Sequence, residues 1–209
     1  IGTAKSDLIL NNFSKQKESK YEAALFFSAA IDKMNGIPES VSRELDILNK
    51  VEQFHLNFIK IANSHPNKNF LIKMKIEKHK QQFLDPLLKK FDIKLGSNIS
   101  LFSENFDAAD LISASKKVFV FHSTIMVEVI LLNKDVIEPK LFPKNENDKS
   151  FMFSENFKNA TIKVDNLDQA QKAIDSKNLI TDANDKKKLV DYYFGLCDGK
   201  VFDRFISHL

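Results

Sequence analysis

An apolar run near the middle of the chain constrains the fold more than any other feature. Val118-Phe119-Val120-Phe121 has no polar residues alternating with its apolar ones, which is typical of a strand covered on both faces. A turn at His122-Ser123 follows, and Ser123 or Thr124 is a good N-cap for a helix. We therefore predict a strand at the buried centre of a sheet that leads directly into a helix.

Short apolar runs bounded by polar turns alternate with longer helical patterns along the chain. This alternation predicts an α/β fold, a Rossmann-like open parallel sheet with helices on both faces, formed by residues 1–209 as a single domain. The predicted strands are Asp7–Phe13, Phe70–Lys75, Ile99–Phe102, Lys117–Phe121, Val136–Ile137 and Thr161–Val164. The predicted helices are Tyr21–Met34, Val41–Asn63, Lys78–Phe91, Asp107–Ser115, Thr124–Asn133, Leu167–Ile174, Asp182–Phe194 and Lys200–His208.

The composition limits the classes of function. The 209 residues are 43% hydrophobic, enough to bury a full core, and the net charge of +3 gives no argument for nucleic acid as a partner. Cys197 is a lone cysteine, so no internal disulfide can form, and the sequence has no zinc ligand pattern. Neither a signal peptide nor a membrane-spanning run is visible. We expect a cytoplasmic protein without a metal site.

Candidate ligands for a phosphate and a ribose follow the buried strand. A helix that begins at the carboxyl edge of a parallel sheet turns its free N–H groups toward the crevice where such sheets bind ligands. Ser123 and Thr124 would add hydroxyls, and Glu128, four residues beyond Thr124, could accept hydrogen bonds from ribose hydroxyls. The spacing leaves a second interpretation open, in which Ser123 only caps a core helix and Glu128 marks its solvent side.

This segment resembles the "ST…EA…gkPvi" segment of GT-B glycosyltransferases that build capsules and other surface glycans. A second stretch, Tyr193 to Lys200 with Arg204, resembles the "y…DGkas.R" ending of the same enzymes. The resemblance implies that Ser123 and Thr124 contact the donor phosphate and that Glu128 contacts the ribose. The sequence differs from the pattern at Val129, Asn133 and Asp135, where Ala, Gly and Pro are usual.

The resemblance also implies a biological role. The chain would be the C-terminal, donor-nucleotide-binding half of a glycosyltransferase, a fragment lacking an N-terminal acceptor-binding domain. Its ligand would be a nucleotide sugar, with CMP expected first and UDP and CDP open, and its acceptor a glycan or a lipid-linked saccharide. The full-length protein could associate peripherally with a membrane. This scheme needs no metal or cofactor, and we assign no catalytic residue because the general base of such enzymes commonly lies in the N-terminal half.

Further polar residues are candidate ligands at the same crevice. Many of these transferases have a strand ending in "K-x-HP", whereas His65-Pro66 here precedes its strand and is expected to end a helix. The phosphate-facing role would then pass to the lysines at the end of that strand. His122 lies beside the Ser123-Thr124 pair, and the end of the first predicted strand contributes two more candidates, for which a solvated rim is the alternative. The candidates are Lys73, Lys75, His122, Asn12 and Ser14.

The sequence leaves two other functions open. A non-catalytic Rossmann-like module could bind a partner or act as a scaffold in a polysaccharide-assembly protein, since this fold has many functions. A sugar-nucleotide epimerase of related fold also places a Ser and a Glu around its nucleotide. A nucleotide-dependent rise in melting temperature would separate the scaffold from the other two.

Overall fold

Six parallel strands form one sheet in the part of the chain that the computed structural model describes. These residues are 4–13, 19–27, 46–121, 123–141, 157, 159–176, 181–195, 197 and 200. The strands are β1 (Tyr21–Phe26), β2 (Phe70–Lys73), β3 (Ile99–Phe102), β4 (Ser115–Val120), β5 (Asp135–Pro139) and β6 (Ile162–Val164). The helices are α1 (Ala4–Phe13), α2 (Ile47–Ser64), α3 (Asp85–Lys90), α4 (Ala108–Ser113), α5 (Ile125–Leu131), α6 (Leu167–Asp175) and α7 (Ala183–Phe194).

The strand order is β3-β2-β1-β4-β5-β6, and each neighbouring pair is parallel. This is the order of a Rossmann-like sheet, in which the winding reverses between the first and fourth strands. The predicted central strand is confirmed, because Val118 and Phe119 in β4 are fully buried and Val120 is 1% exposed. The predicted α/β class, consistent with one half of a GT-B fold, is therefore confirmed.

Each face of the sheet has its own hydrophobic core. On one face α2, α3 and α6 cover alternate strand residues, and Phe119 packs against Phe58 and Phe54 at centroid distances of 5.1 and 5.4 Å. On the other face α4, α5 and α7 cover the intervening residues, among them Val118 and Val120. Helix α1 lies against α4 and α5 on this second face. The sheet therefore separates two layers of helices.

Two predictions at the N-terminus are wrong. The segment Asp7–Phe13, predicted as a strand, belongs to helix α1, in which Ile9 is 4% exposed and Leu8 is 57% exposed. A short apolar run does not distinguish a strand from a helix that buries one side. Tyr21–Phe26, predicted as the start of a helix, is strand β1, because burial between β2 and β4 overrides the helix propensity of Ala23 and Ala24.

The remaining predicted elements agree with the structure within a few residues. The helix predicted over Lys78–Phe91 is a π-helical turn, Lys80–Leu84, followed by α3, and Pro86 lies in the first turn of α3. Proline fits there because the first helical N–H groups have no intrahelical partner. Residues 28–34, 41–45 and 201–208, each predicted as part of a helix, lie outside the described residues.

Candidate functional site

A crevice is expected where the winding of the sheet reverses, between β1 and β4. Helix α2 follows β1 on one face, and α5 follows β4 on the other. The next described helix after β1 and the helix after β4 therefore lie on opposite faces of the sheet, and open α/β sheets bind ligands at the carboxyl ends of strands at such a point. Ser123 and Thr124 come directly after β4 and lie at this point.

The hydroxyls of Ser123 and Thr124 differ in what they contact. Phe121 is 3% exposed, and the chain then reaches the surface, with Ser123 half-buried and Thr124 exposed. The Ser123 Oγ accepts a hydrogen bond from the Ile125 N–H at 3.3 Å, whereas the Thr124 side chain makes no capping hydrogen bond. Ser123 therefore helps to start α5, as the second interpretation proposes, and Thr124 is an exposed residue at the start of the same helix.

Glu128 is buried and forms an ion pair within the protein. It is 2% exposed, and its Oε1 lies 2.5 Å from the Lys5 Nζ of α1. The carboxylate does not mark the solvent side of α5. Lys5 itself is largely exposed, so the partner of this buried carboxylate comes from the surface side of the pair.

The two lysines after β2 have different environments. Lys73 donates hydrogen bonds from its Nζ to the carbonyl oxygens of Met74 and Ser103, at 2.9 and 2.8 Å, and so ties the end of β2 to the end of β3. Burial lowers the pKa of Lys73, while Glu104 and Asp107 act in the opposite direction. Lys75 is exposed beyond the end of β2. Of the two, Lys75 is the one exposed to a ligand in solution.

The other sequence candidates lie in helix α1 or outside the described residues. Asn12 is a candidate only if a first strand ends near it. That premise is wrong, because Asn12 lies in helix α1. Ser14 and His122 lie outside the described residues. His65 ends α2 as expected, with its Nδ1 2.9 Å from the Ile61 carbonyl oxygen.

Comparisons with known proteins show the fold. No family model matches the chain, and no curated protein matches it. The structure is similar to UDP-GlcNAc 2-epimerase from Methanocaldococcus jannaschii, solved with UDP-GlcNAc and UDP, with a TM-score of 0.52 and 12% identity. That similarity covers 100% of this chain and 54% of the epimerase, so this chain spans about half of the epimerase's length.

Two glycosyltransferases give lower scores. WaaG, a glycosyltransferase involved in lipopolysaccharide biosynthesis, has a TM-score of 0.47 at 12% identity, covering 99% of this chain and 51% of WaaG. The C-terminal domain of a glycosyl transferase group 1 family protein (LpcC) from Francisella tularensis has a TM-score of 0.42 at 14% identity, covering 97% of this chain and 94% of that domain. Both scores are too low to bear on the fold.

Sequence reasoning missed His55, which lies in α2 beside the end of β1. It is 2% exposed and its ring stacks on Phe27, the residue after β1, at a centroid distance of 4.4 Å. Burial lowers its pKa to about 3, so the imidazole is neutral at physiological pH. The available signal was its position directly after Phe54 in the buried stripe of α2.

No three His, Cys, Asp or Glu side chains among the described residues are grouped so that they could hold a metal ion. None of the helices in the described ranges is long and apolar enough to cross a membrane.

Proposed function

We propose that this chain binds the nucleotide of a nucleotide sugar between the ends of β1 and β4, as one half of a glycosyltransferase of surface-polysaccharide or glycan biosynthesis. The observation that supports the proposal is the position of Ser123 and Thr124 where the winding of the sheet reverses. In this position hydroxyl groups can donate to phosphate oxygens. The sequence resemblance to GT-B enzymes points to the same two residues.

The proposed role in catalysis is to bind the leaving group. Glycosyl transfer breaks the bond between the sugar and the phosphate, and negative charge develops on the phosphate oxygen that departs. Hydroxyl donors from Ser123 and Thr124, with the exposed ammonium of Lys75 at the same edge, would stabilise that charge. The general base and the acceptor, a glycan or a lipid-linked saccharide, would be held by another part of the enzyme.

The role of Glu128 as a ribose ligand stays a proposal, and it requires the ribose to reach a buried side chain. Its carboxylate is 2% exposed and already paired with Lys5. A ribose hydroxyl would have to reach this buried group beside the Lys5 ammonium or in its place. We therefore base the nucleotide site on Ser123 and Thr124.

A thermal-shift screen tests the proposal. We expect one of CMP, CDP, UDP, GDP or ADP to raise the melting temperature, because a ligand at 100 times its Kd stabilises the folded state by about 2.7 kcal/mol. CMP is our first candidate from the sequence resemblance. The double variant Ser123→Ala/Thr124→Val should lose the shift, because both phosphate-facing hydroxyls are removed.

The matched control is Ser97→Ala, which removes an exposed hydroxyl before β3, at the opposite edge of the sheet. This variant should keep the full nucleotide shift. A flat response of the parent chain to every nucleotide, as a scaffold would give, contradicts the proposal. So does a shift that survives unchanged in the double variant.

A nucleotide-sugar epimerase is the second candidate, favoured by the structural similarity to UDP-GlcNAc 2-epimerase. Both enzymes would bind nucleotide at the same edge, so the thermal shift does not separate them. Proton NMR of UDP-GlcNAc incubated with the full-length protein does. Appearance of the 2-epimer without an acceptor supports the epimerase, whereas acceptor-dependent release of the nucleotide supports the transferase.

A further inference from the structure

A second concave site lies at the carboxyl edge of the sheet, away from Ser123 and Thr124. A pocket of about 220 Å³ opens between the N-terminal half of α2 and the ends of β5 and β6. Helix α2 contributes the carboxamides of Asn49, Gln53 and Asn57, and the strand ends contribute Pro139 and Val164. The volume corresponds to about seven waters at roughly 30 Å³ each, which is enough for one small ring.

The three carboxamides form a row along α2. They are spaced four residues apart, so they project from the same face of the helix. Each carboxamide offers two N–H donors and a carbonyl acceptor and has no net charge. A ligand that matches this row must therefore present several groups that both donate and accept, and hydroxyl groups do so.

The charged residues of the pocket are balanced in sign. Two acids, Asp46 and Asp165, and two lysines, Lys50 and Lys140, line it, so its formal charge is zero. Lys50 and Asp165 form an ion pair at 3.7 Å, and Asp46 accepts a hydrogen bond from the Asn49 carboxamide at 2.7 Å. A neutral ligand fits this balance better than a free phosphate does.

The apolar part of the pocket does not suit a nucleobase. Phe54 is 3% exposed and its ring packs against Phe119, so it offers no open face on which a flat base could stack. The floor is completed by Pro139 and by Val164, which is 4% exposed. A small apolar floor under a row of polar amides matches a pyranose, whose ring has C–H faces and a rim of hydroxyls.

We propose that this pocket binds one pyranose ring. The inference goes beyond the nucleotide site and does not depend on it. Strands β5 and β6 are one and two positions from β4, or about 5 and 10 Å along the sheet. The ring could come from the glycosyl group of a nucleotide sugar or from a glycan acceptor, and both present the same hydroxyl chemistry.

Side-chain amide NMR tests the pocket directly. Methyl glycosides of glucose, galactose and N-acetylglucosamine are titrated into the nitrogen-15-labelled chain, with open-chain sorbitol as the ligand control. At least one glycoside should shift the side-chain NH₂ signals of Asn49, Gln53 or Asn57 in a saturable manner. Gln53→Ala should weaken the binding about twofold to twelvefold, because a single hydrogen bond contributes about 0.5–1.5 kcal/mol.

The variant control is Gln81→Ala, which removes an exposed carboxamide outside the pocket and should leave the affinity unchanged. The proposal is overturned if no glycoside gives a saturable shift. It is also overturned if sorbitol binds as well as the glycosides, or if Gln53→Ala and Gln81→Ala behave alike.

The source of the ring is identified by a second titration, with UDP-N-acetylglucosamine and CMP-N-acetylneuraminic acid in place of the glycosides. If a nucleotide sugar shifts the same NH₂ signals at lower concentration than the glycosides, the ring belongs to the donor. If only the glycosides shift them, the ring belongs to an acceptor. Loss of nucleotide binding in Ser123→Ala/Thr124→Val with these signals unaffected would show that the two sites are independent.

Discussion

At the scale of single residues, the pairing of Glu128 with Lys5 is the feature with the clearest energetic consequence. We expect Lys5→Ala to lower the free energy of unfolding by about 1–2 kcal/mol, because a buried carboxylate loses an ionic partner. The effect stays at the low end for a buried pair since Lys5 is largely exposed and its charge is screened by water. Urea denaturation of the parent and the variant measures the difference.

Two further variants show whether the lost stability comes from the Glu128 carboxylate that is left without its ionic partner. Lys60→Ala removes an exposed lysine from α2 and should change stability by less than about 0.5 kcal/mol. Adding Glu128→Gln to Lys5→Ala should restore part of the loss, because the carboxamide is neutral. If Lys5→Ala and Lys60→Ala unfold at the same urea concentration, the ion pair between Lys5 and Glu128 does not stabilise the protein.

At the scale of secondary-structure elements, Lys117 links the central strand to a helix end. Its Nζ in β4 donates to the carbonyl oxygens of Ala173, Ile174 and Ser176 at the C-terminus of α6, and burial lowers its pKa. Lys117→Met keeps an apolar stem but leaves these carbonyls without their donor. We expect it to destabilise the protein by about 2–3 kcal/mol. Chemical denaturation against Lys116→Met, an exposed neighbour, provides the measurement and its control.

If Lys117→Met lowers the free energy of unfolding no more than Lys116→Met does, then water replaces the ammonium group as the donor to the carbonyl oxygens at the end of α6. Lys116 pairs with Glu22 at the surface, where such pairs contribute little. Its replacement should therefore cost less than about 1 kcal/mol.

The elements themselves show which parts of the fold the sequence can predict. Strand β4 was predicted because continuous apolar residues leave few alternatives, and the helix start after it was predicted from the capping residues Ser123 and Thr124. Strand β1 was missed because its Glu22, Ala23 and Ala24 favour a helix locally, and only pairing with β2 and β4 makes it a strand. The partner of Glu128 could not be predicted, since Lys5 is 123 positions away along the chain.

At the scale of the whole molecule, buried His55 makes global stability depend on pH. Burial lowers the pKa of its imidazole from 6.5 in the unfolded chain to about 3 in the folded protein. The unfolded state therefore binds the proton more readily. The stabilisation is complete above pH 6.5 and is lost as the pH falls toward 3, at about 1.4 kcal/mol per pH unit.

His55→Phe should remove this contribution while keeping an aromatic ring against Phe27. Between pH 7 and pH 4.5 we expect the parent to lose about 2–3 kcal/mol more than the variant, measured by urea denaturation at each pH. The control His65→Gln, at the end of α2, should lose stability in parallel with the parent. Parallel curves for the parent and His55→Phe would show that His55 is not the group responsible.

The residues of the core and the residues at the carboxyl edge of this sheet are separate sets, so they can be substituted separately. The side chains that hold the sheet together, such as Phe119 and Val118, lie between the strands and the two helical layers. Those that we propose as ligand contacts, such as Thr124 and Gln53, lie at the rim and are exposed. Rim positions can therefore be randomised in a library without threatening folding, so that specificity for new ligands could be selected on an unaltered scaffold.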